Sequence, residues 1–293
     1  MLLVSDRPIL VNGTLRQVGV PFDTDEVGAA ELLRKSQDNP NGVRIWHAKP
    51  PKVLYEKTFR KQDDASLREQ GINAVRESKG LHRPSDERPD ILVSCICLTR
   101  NRRDWLPKAI ACYQRQTYPS RELLIIADGE DVQDLIPSDD ETIRLLHIEE
   151  GYTVGEKRNF GASKAKGEII AHWDDDDHSE PNRLTYQIER LQNSGKAVTG
   201  YRSMVFRSDT VAWLYTNGNP TYALGTSLCY RKEWWQAHPF LSIQIGEDGE
   251  FVKTAQRCDQ IISADAGDLM VATVHPGNTS RRNLTASEFQ KIG

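Results

Sequence analysis

Residues 168–177, Glu-Ile-Ile-Ala-His-Trp-Asp-Asp-Asp-Asp, join a short apolar run directly to four consecutive aspartates. A strand-sized apolar run normally ends in turn residues rather than in concentrated negative charge. Carboxylates this close repel one another, and burying them without a counter-ion is costly. A divalent cation is the simplest partner, since Mg²⁺ and Mn²⁺ prefer carboxylate oxygen and often hold a substrate phosphate as well. The run alone leaves open a solvated acidic turn that caps a helix near Pro181.

An EF-hand calcium loop does not fit the residues that follow. Counted from Asp174, the sixth position is Ser179 rather than glycine, and the twelfth is Thr185 rather than glutamate.

The segments around the acidic run alternate between two patterns. Apolar runs predict strands at 91–98, 122–127, 142–148 and 168–173, and helical spacing predicts helices at 103–116 and 154–166. Such alternation implies an α/β domain with a mostly parallel sheet, whose ligands bind at the carboxyl ends of the strands. Thr99, Arg100, Asp128 and the four aspartates all fall at predicted strand ends.

The chain of 293 residues divides into three predicted parts. Residues 1–40 form a small module, with a β-hairpin around an Asn12-Gly13 turn and a helix at 27–35. Residues 41–89 form a connecting segment with a strand at 43–46, a helix at 62–78 and a polar linker, and the main domain covers 90–293. The N-terminal module resembles small modules of tailed-phage proteins, which implies an adaptor or homo-oligomerisation role.

Composition restricts the partners and the compartment. A formal net charge of −4 does not favour a nucleic-acid coat. No apolar run approaches the roughly 20 residues of a membrane span, and no signal peptide is recognisable, so we expect a cytoplasmic protein. The odd number of cysteines, five, predicts buried free thiols in a reducing environment.

Short motifs along the main domain occur in an order that resembles glycosyltransferase family 2, whose members have the GT-A fold. They are Leu-Thr-Arg-Asn at 98–101, Gln-Thr-Tyr-Pro at 116–119, Leu-Ile-Ile-Ala-Asp-Gly at 124–129, Gly-Glu-Lys-Arg-Asn-Phe-Gly at 155–161, Trp-Asp-Asp-Asp-Asp at 173–177, Gly-Thr-Ser-Leu-Cys-Tyr-Arg at 225–231, Gly-Glu-Asp-Gly-Glu-Phe at 246–251 and Val-His-Pro-Gly-Asn-Thr-Ser at 274–280. Each motif is weak by itself, and their shared order carries the resemblance.

The resemblance implies a nucleotide-sugar donor and assigns residues to it. Thr99 and Arg100 are expected to line the nucleotide pocket, Asp128 to accept a hydrogen bond from the base, and Asp175 to contact the ribose. Arg158 is expected to meet the diphosphate through its planar guanidinium. A turn-forming aspartate and a surface arginine are the alternatives for Asp128 and Arg158.

The resemblance also implies a Mn²⁺ or Mg²⁺ cofactor. Asp176 is the expected ligand, and Asp174, two residues away on extended chain, faces the same side. His275 is the expected second ligand, with a structural histidine as the alternative, and Asp177 is expected to cap the following helix. A slip of one residue within the run is a further alternative.

The resemblance further implies that the Glu247-Asp248 pair supplies the base for transfer with inversion. Asp248 is expected to take the proton from the acceptor hydroxyl, and Glu247 and Trp234 are placed on the acceptor side. An acidic pair that merely starts a helix is the alternative for Glu247 and Asp248. Five aromatic residues either form a stacking surface for sugar or base or pack in the core: Trp213, Tyr215, Tyr222, Trp234 and Trp235.

The resemblance implies a metal-dependent inverting glycosyltransferase that uses a UDP-sugar, while the residues themselves leave UDP, GDP and dTDP open. Its acceptor is a glycan, a protein or a modified nucleobase. A sugar nucleotidyltransferase is disfavoured because residues 99–103 contain no glycine, and a dinucleotide oxidoreductase because no G-x-G-x-x-G follows a strand. A nucleotide-sugar or glycan-binding protein without turnover is the remaining alternative.

Overall fold

The computed structural model describes residues 51–58, 91–279 and 283–292 with their side chains, and five short strands before residue 46 as backbone. These strands are β1 (Leu2–Val4), β2 (Ile9–Val11), β3 (Thr14–Arg16), β4 (Phe22–Asp23) and β5 (Arg44–Ile45). β2 pairs antiparallel with β3, Val11 opposite Thr14, which is the register that a two-residue hairpin loop requires. The helices predicted at 27–35 and 62–78 and the linker at 79–90 lie outside the described residues.

Four neighbouring parallel strands form the centre of the main sheet. They are β7 (Val93–Arg100), β8 (Arg121–Asp128), β9 (Ile143–Ile148) and β10 (Ile169–His172), in the order β10-β7-β8-β9. Nearly all their side chains are buried because both faces of the sheet are covered, and this is why the strands are mostly apolar in sequence. The predicted α/β fold with a mostly parallel sheet is confirmed.

The sheet also takes in a strand that precedes residue 90. β6 (Val53–Thr58) pairs antiparallel with β9 at the sheet edge, although the sequence analysis assigns residues 41–89 to a connecting segment. Its alternating half-buried and exposed pattern is that of an edge strand rather than a central one.

Among the described residues, seven further strands form the other half of the sheet. Its strands are β11 (His178–Ser179), β12 (Val198–Arg207), β13 (Ala212–Thr216), β14 (Cys229–Arg231), β15 (Ile261–Asp265), β16 (Met270–Thr273) and β17 (Phe289–Ile292). β14 joins the halves, since it pairs antiparallel with both β10 and β12. β11 pairs with β16, so the acidic run lies beside the strand that leads to His275.

Five α-helices are described. They are α1 (Leu106–Gln114), α2 (Val154–Lys164), α3 (Arg183–Ser194), α4 (Lys232–Ala237) and α5 (Glu247–Arg257). The longest has 12 residues, and among the described residues no helix is long and apolar enough to cross a membrane.

Helix α2 is fixed tightly against its neighbours. A capping box starts it: the Thr153 hydroxyl accepts from the Glu156 backbone N–H, and the Glu156 carboxylate accepts from the Thr153 backbone N–H. Any side chain at Gly155 would clash with the Leu241 carbonyl, because a Cβ would lie 1.8 Å from its oxygen. Gly161 similarly allows close contact with Ile96 of β7. The side chains of α2 are therefore held in place relative to β7 and the loop that leads into α5.

All five cysteines are free thiols, and four of them are buried. Cys95 and Cys97 lie in the same core cluster, as their spacing predicts. The prediction of buried thiols is wrong for Cys258, which is exposed because it follows the last residue of α5.

We expect iodoacetamide to alkylate Cys258 first in the native protein. The other four thiols should react only after unfolding, because burial raises the pKa of Cys95 and Cys229 to about 12 and leaves little thiolate. Peptide mapping after timed labelling with and without denaturant checks this. Rapid native labelling of Cys95 or Cys229 would show that this part of the core is open to solvent.

Candidate functional site

A cleft of about 810 Å³ opens at the carboxyl ends of β7 and β10. It brings together most of the site residues predicted from sequence: Thr99, Arg100, Arg158, Asp174, Asp175, Asp176, Glu247, Asp248 and His275. The cleft is lined by the ends of parallel strands on one side and by the starts of α2 and α5 on the other. Its volume falls in the range of pockets that hold a nucleotide-sized ligand.

Three carboxylates of the acidic run converge. Asp174, Asp176 and Asp177 each offer an oxygen within 4.8 Å of the others. The Asp176 side chain is only 8% exposed, and its Oδ2 lies 2.9 Å from His275 Nε2. Carboxylate oxygens with an imidazole nitrogen form a donor set that suits Mg²⁺ or Mn²⁺. These residues therefore fit the predicted cation.

His275 is held by its own loop and by an aromatic neighbour. The Gly277 N–H donates to His275 Nδ1 at 3.2 Å, and the His275 backbone N–H donates to Asn278 Oδ1 at 2.7 Å. The imidazole stacks on Trp105, with ring centroids 4.5 Å apart. Trp105 directly precedes α1 and is not one of the predicted site residues, so this support for His275 was not predicted. The ring is fixed with Nε2 directed at Asp176.

Asp177 does not cap the following helix, so that prediction is wrong. Its Oδ2 accepts a hydrogen bond from the Thr226 hydroxyl, and its Oδ1 accepts from the Thr273 backbone N–H at 2.9 Å. Helix α3 begins only at Arg183, which is too far along the chain for Asp177 to reach its first N–H groups. Burial raises the pKa of Asp177 well above its usual range, and the charges of Asp174 and Asp176 add to this effect.

Arg102 is a cleft residue that the site prediction did not include. Its Nη1 lies 2.8 Å from both Asp175 Oδ1 and Asp176 Oδ2, and its Nη2 donates to the Gly277 carbonyl. Burial raises the pKa of Asp175 to about 6, against the opposing charge of Arg102. The sequence signal that could have identified Arg102 is its position just after β7, at a strand end that faces the cleft.

Asp128 is buried behind the cleft wall. Its Oδ1 accepts a hydrogen bond from Lys157 Nζ at 2.8 Å. Its Oδ2 has no hydrogen-bond partner among the described residues, and Arg100 Nε lies 3.8 Å away. Lys157 itself lines the cleft, although the site prediction left it out. A buried carboxylate oxygen next to a lysine is thus available behind the half-exposed Arg100 side chain.

Asp248 stands in the first turn of α5, facing the cleft. The Gly249 N–H donates to its Oδ1 at 2.8 Å. Its Oδ2 lies against Gly225, and a Cβ added to that glycine would be 1.6 Å from this oxygen. The carboxylate is therefore positioned by its contact with a residue that has no side chain.

Glu247 lines the cleft with its carboxylate directed at Arg158, and its acceptor-side position stays a prediction. The residue is only 5% exposed, and its carboxylate accepts a hydrogen bond from Arg158 Nε at 3.0 Å. Burial raises the pKa of Glu247, and the charge of Arg158 opposes this. Arg158 also approaches Asp174, with Nη2 3.8 Å from Oδ1. Glu247 thus acts as the anchor of the Arg158 guanidinium.

Trp234 is not among the residues that line the cleft, and its acceptor-side position stays a prediction. Its indole packs against the core cluster beneath α2 and α5 and stacks on His238, with ring centroids 3.9 Å apart. Tyr215 and Tyr222 belong to a third core cluster. Core packing, the alternative for these aromatic residues, accounts for all three.

Comparisons with known proteins agree with this architecture. The sequence model of the family described as "Glycosyl transferase family 2" matches residues 94–246, more than half of the chain. The chain is 28% identical over 120 residues to "Putative teichuronic acid biosynthesis glycosyltransferase TuaG" of Bacillus subtilis, covering 39% of this chain and 48% of that protein. It is 26% identical over 133 residues to "Glycosyltransferase GlyG" of Streptococcus pneumoniae, covering 43% and 44%. The chain thus spans about half the length of the curated relatives it matches.

Solved structures show the same fold. The S. aureus TarS 1–349 structure in complex with UDP-GlcNAc has a TM-score of 0.54 at 17% identity, covering 64% of this chain and 60% of that one. The mannosyltransferase PcManGT from Pyrobaculum calidifontis, in complex with GDP-Man and Mn²⁺, has a TM-score of 0.50 at 16% identity, covering 71% and 65%. These similarities confirm the predicted GT-A fold.

Proposed function

Because the chain belongs to glycosyltransferase family 2, we propose that it transfers a sugar from a nucleoside-diphosphate sugar to an acceptor hydroxyl, with a divalent cation as cofactor. One observation carries the proposal: a single cleft holds three converging carboxylates, the cations Lys157 and Arg158, and the carboxylate of Asp248. Structures of similar fold were solved with UDP-GlcNAc and with GDP-Man and Mn²⁺.

The converging side chains divide into those for the cation and those for the diphosphate. Asp176, Asp174 and His275 would hold Mn²⁺ or Mg²⁺, which when bound stabilises negative charge on the departing diphosphate. Arg158 offers diphosphate oxygens a guanidinium held rigidly by Glu247. Its Nη1 is buried without a hydrogen-bond partner among the described residues, so it retains a donor for a phosphate oxygen.

Asp248 is the base of the proposed reaction. As the bond from the sugar anomeric carbon to the diphosphate oxygen breaks, the acceptor oxygen bonds to that carbon from the opposite face. The acceptor proton passes to the Asp248 carboxylate. A single displacement of this kind inverts the anomeric configuration.

The pair formed by Asp128 and Lys157 favours uracil, or thymine with the same hydrogen-bonding edge, over guanine as the base of the donor. Uracil presents one ring N–H between two carbonyl oxygens, which matches the free Asp128 Oδ2 beside the Lys157 ammonium. Guanine presents two adjacent N–H donors and would need both oxygens of Asp128, but Oδ1 is already bound to Lys157. For the base to reach Asp128, the half-exposed Arg100 side chain turns aside.

A panel of donors tests the proposal. UDP-, GDP- and dTDP-sugars are incubated with the full chain and Mn²⁺, Mg²⁺ or EDTA, and release of the nucleoside diphosphate is measured. We expect slow release of UDP from one UDP-sugar without acceptor, and none in EDTA. If no nucleotide sugar binds in a metal-dependent way, the proposed function is wrong.

A further inference from the structure

Arg102 links three segments of the cleft. It lies in the turn after β7, and its Nη1 contacts Asp175 and Asp176 of the acidic run at 2.8 Å each. Its Nη2 donates to the Gly277 carbonyl and lies 3.5 Å from Thr279 Oγ, both in the loop after β16. The side chain is only 18% exposed. The charged group is therefore held inside the cleft rather than in solvent.

The oxygen of Asp176 that would serve a cation is shared among several donors. Asp176 Oδ2 lies 2.8 Å from Arg102 Nη1, 2.9 Å from His275 Nε2 and 3.1 Å from Asn278 Nδ2. The imidazole can offer a lone pair to a cation after a change of tautomer, but a guanidinium offers donors only and keeps its charge at all relevant pH values. Arg102 and a divalent cation thus compete for the same oxygen, and their charges repel each other.

The other described cations of the cleft have different partners. Arg100 pairs with Glu150, Lys157 with Asp128, and Arg158 with Glu247. Within the described part of the chain, Arg102 is the cation in hydrogen-bond contact with Asp175 and Asp176. A guanidinium also fits phosphate oxygens as well as it fits carboxylates, so a diphosphate in this cleft offers it an alternative partner.

We infer that Arg102 makes cation binding depend on the diphosphate: its guanidinium occupies Asp175 and Asp176 until phosphate oxygens draw it away. The inference rests on the proposed function and adds to it a residue that couples binding of the cation to binding of the diphosphate. Its consequence is cooperative binding, in which UDP tightens the site for Mn²⁺ and, by linkage, Mn²⁺ tightens it equally for UDP. A cation alone then binds weakly, so the cation site fills only when the donor diphosphate is also bound.

Titration calorimetry of Mn²⁺ binding to the full chain, without and with saturating UDP, tests this. For the wild type we expect weak binding of Mn²⁺ alone and a large gain in affinity with UDP. For Arg102→Gln we expect Mn²⁺ alone to bind about tenfold tighter, with a correspondingly smaller gain from UDP. Arg102→Lys keeps the charge, so Mn²⁺ alone should bind it as weakly as the wild type.

Arg103→Gln is the matched control, since Arg103 follows Arg102 in the chain but its guanidinium pairs with the exposed Asp134 rather than with the acidic run. It should leave the affinity for Mn²⁺ alone unchanged. The inference is overturned if Arg102→Gln binds Mn²⁺ alone no more tightly than the wild type, while UDP still increases the affinity of the wild type for Mn²⁺. The proposed function is unaffected by that result. A wild type that shows no Mn²⁺-dependent UDP binding overturns both.

Discussion

Replacing Asp248 with asparagine is expected to lower kcat for sugar transfer by about 10²–10⁴-fold while UDP and Mn²⁺ bind as before. The amide has the shape of the carboxylate, so its contacts with Gly225 and the Gly249 N–H can persist. It cannot accept the acceptor proton, and only that step should fail. Initial-rate kinetics and UDP calorimetry on the same preparation separate the two effects.

Glu250→Gln is the matched control for Asp248→Asn. Glu250 lies in the same first turn of α5, but its carboxylate pairs with Lys253 at the surface. The control removes an acidic charge from the same helix start and should leave kcat unchanged. Turnover of Asp248→Asn at the wild-type rate would exclude Asp248 as the base.

Gly225→Ala is expected to lower kcat by about 10²-fold, because it displaces the Asp248 carboxylate. A Cβ at this position would lie 1.6 Å from Asp248 Oδ2 and 2.5 Å from its Cγ. The turn itself cannot easily yield, since the buried His172 Nδ1 lies 2.7 Å from the Gly225 carbonyl. The Asp248 side chain must therefore move. The measurement is kcat together with KM for the donor, which should change little.

Gly218→Ala provides the comparison for Gly225→Ala. No atom outside the neighbouring residues lies within 4 Å of the Cβ it would add, so activity and melting temperature should stay at wild-type values. A further test combines Gly225→Ala with Asp248→Asn. If the two changes act through one carboxylate, the double variant should be no slower than Asp248→Asn alone. Additive losses would mean that Gly225 acts by another route.

The fold could be predicted from the sequence because its central strands are buried on both faces. Such strands are mostly apolar in sequence, and Val93–Arg100 and Ile169–His172 were predicted at nearly their observed bounds. Once these strands are parallel, topology alone places Thr99 and the acidic run at the same edge of the sheet. That inference needs no knowledge of side-chain contacts.

The contacts within the cleft could not be predicted in the same way. Arg102 meets Gly277 and Thr226 meets Asp177 only because distant segments fold together, and no local pattern marks such pairs. Asp128 was expected to face the base, but nothing nearby in sequence shows that Lys157 binds it.

The directions of predicted site side chains could not be predicted either. Glu247 and Trp234 have residue types that suit an acceptor site, yet one side chain points to Arg158 and the other packs in the core. Sequence gives the type of a residue, while its direction depends on packing against elements far along the chain.

Calorimetric titration of UDP into the full chain, in Mn²⁺ and then in EDTA, tests the central claim most directly. We expect UDP to bind at least about tenfold more tightly with Mn²⁺, because a bound cation offsets the repulsion between the diphosphate and the three converging carboxylates. Equal affinity in Mn²⁺ and EDTA, or no binding of UDP in either, would contradict a metal-dependent nucleotide-sugar site in this cleft.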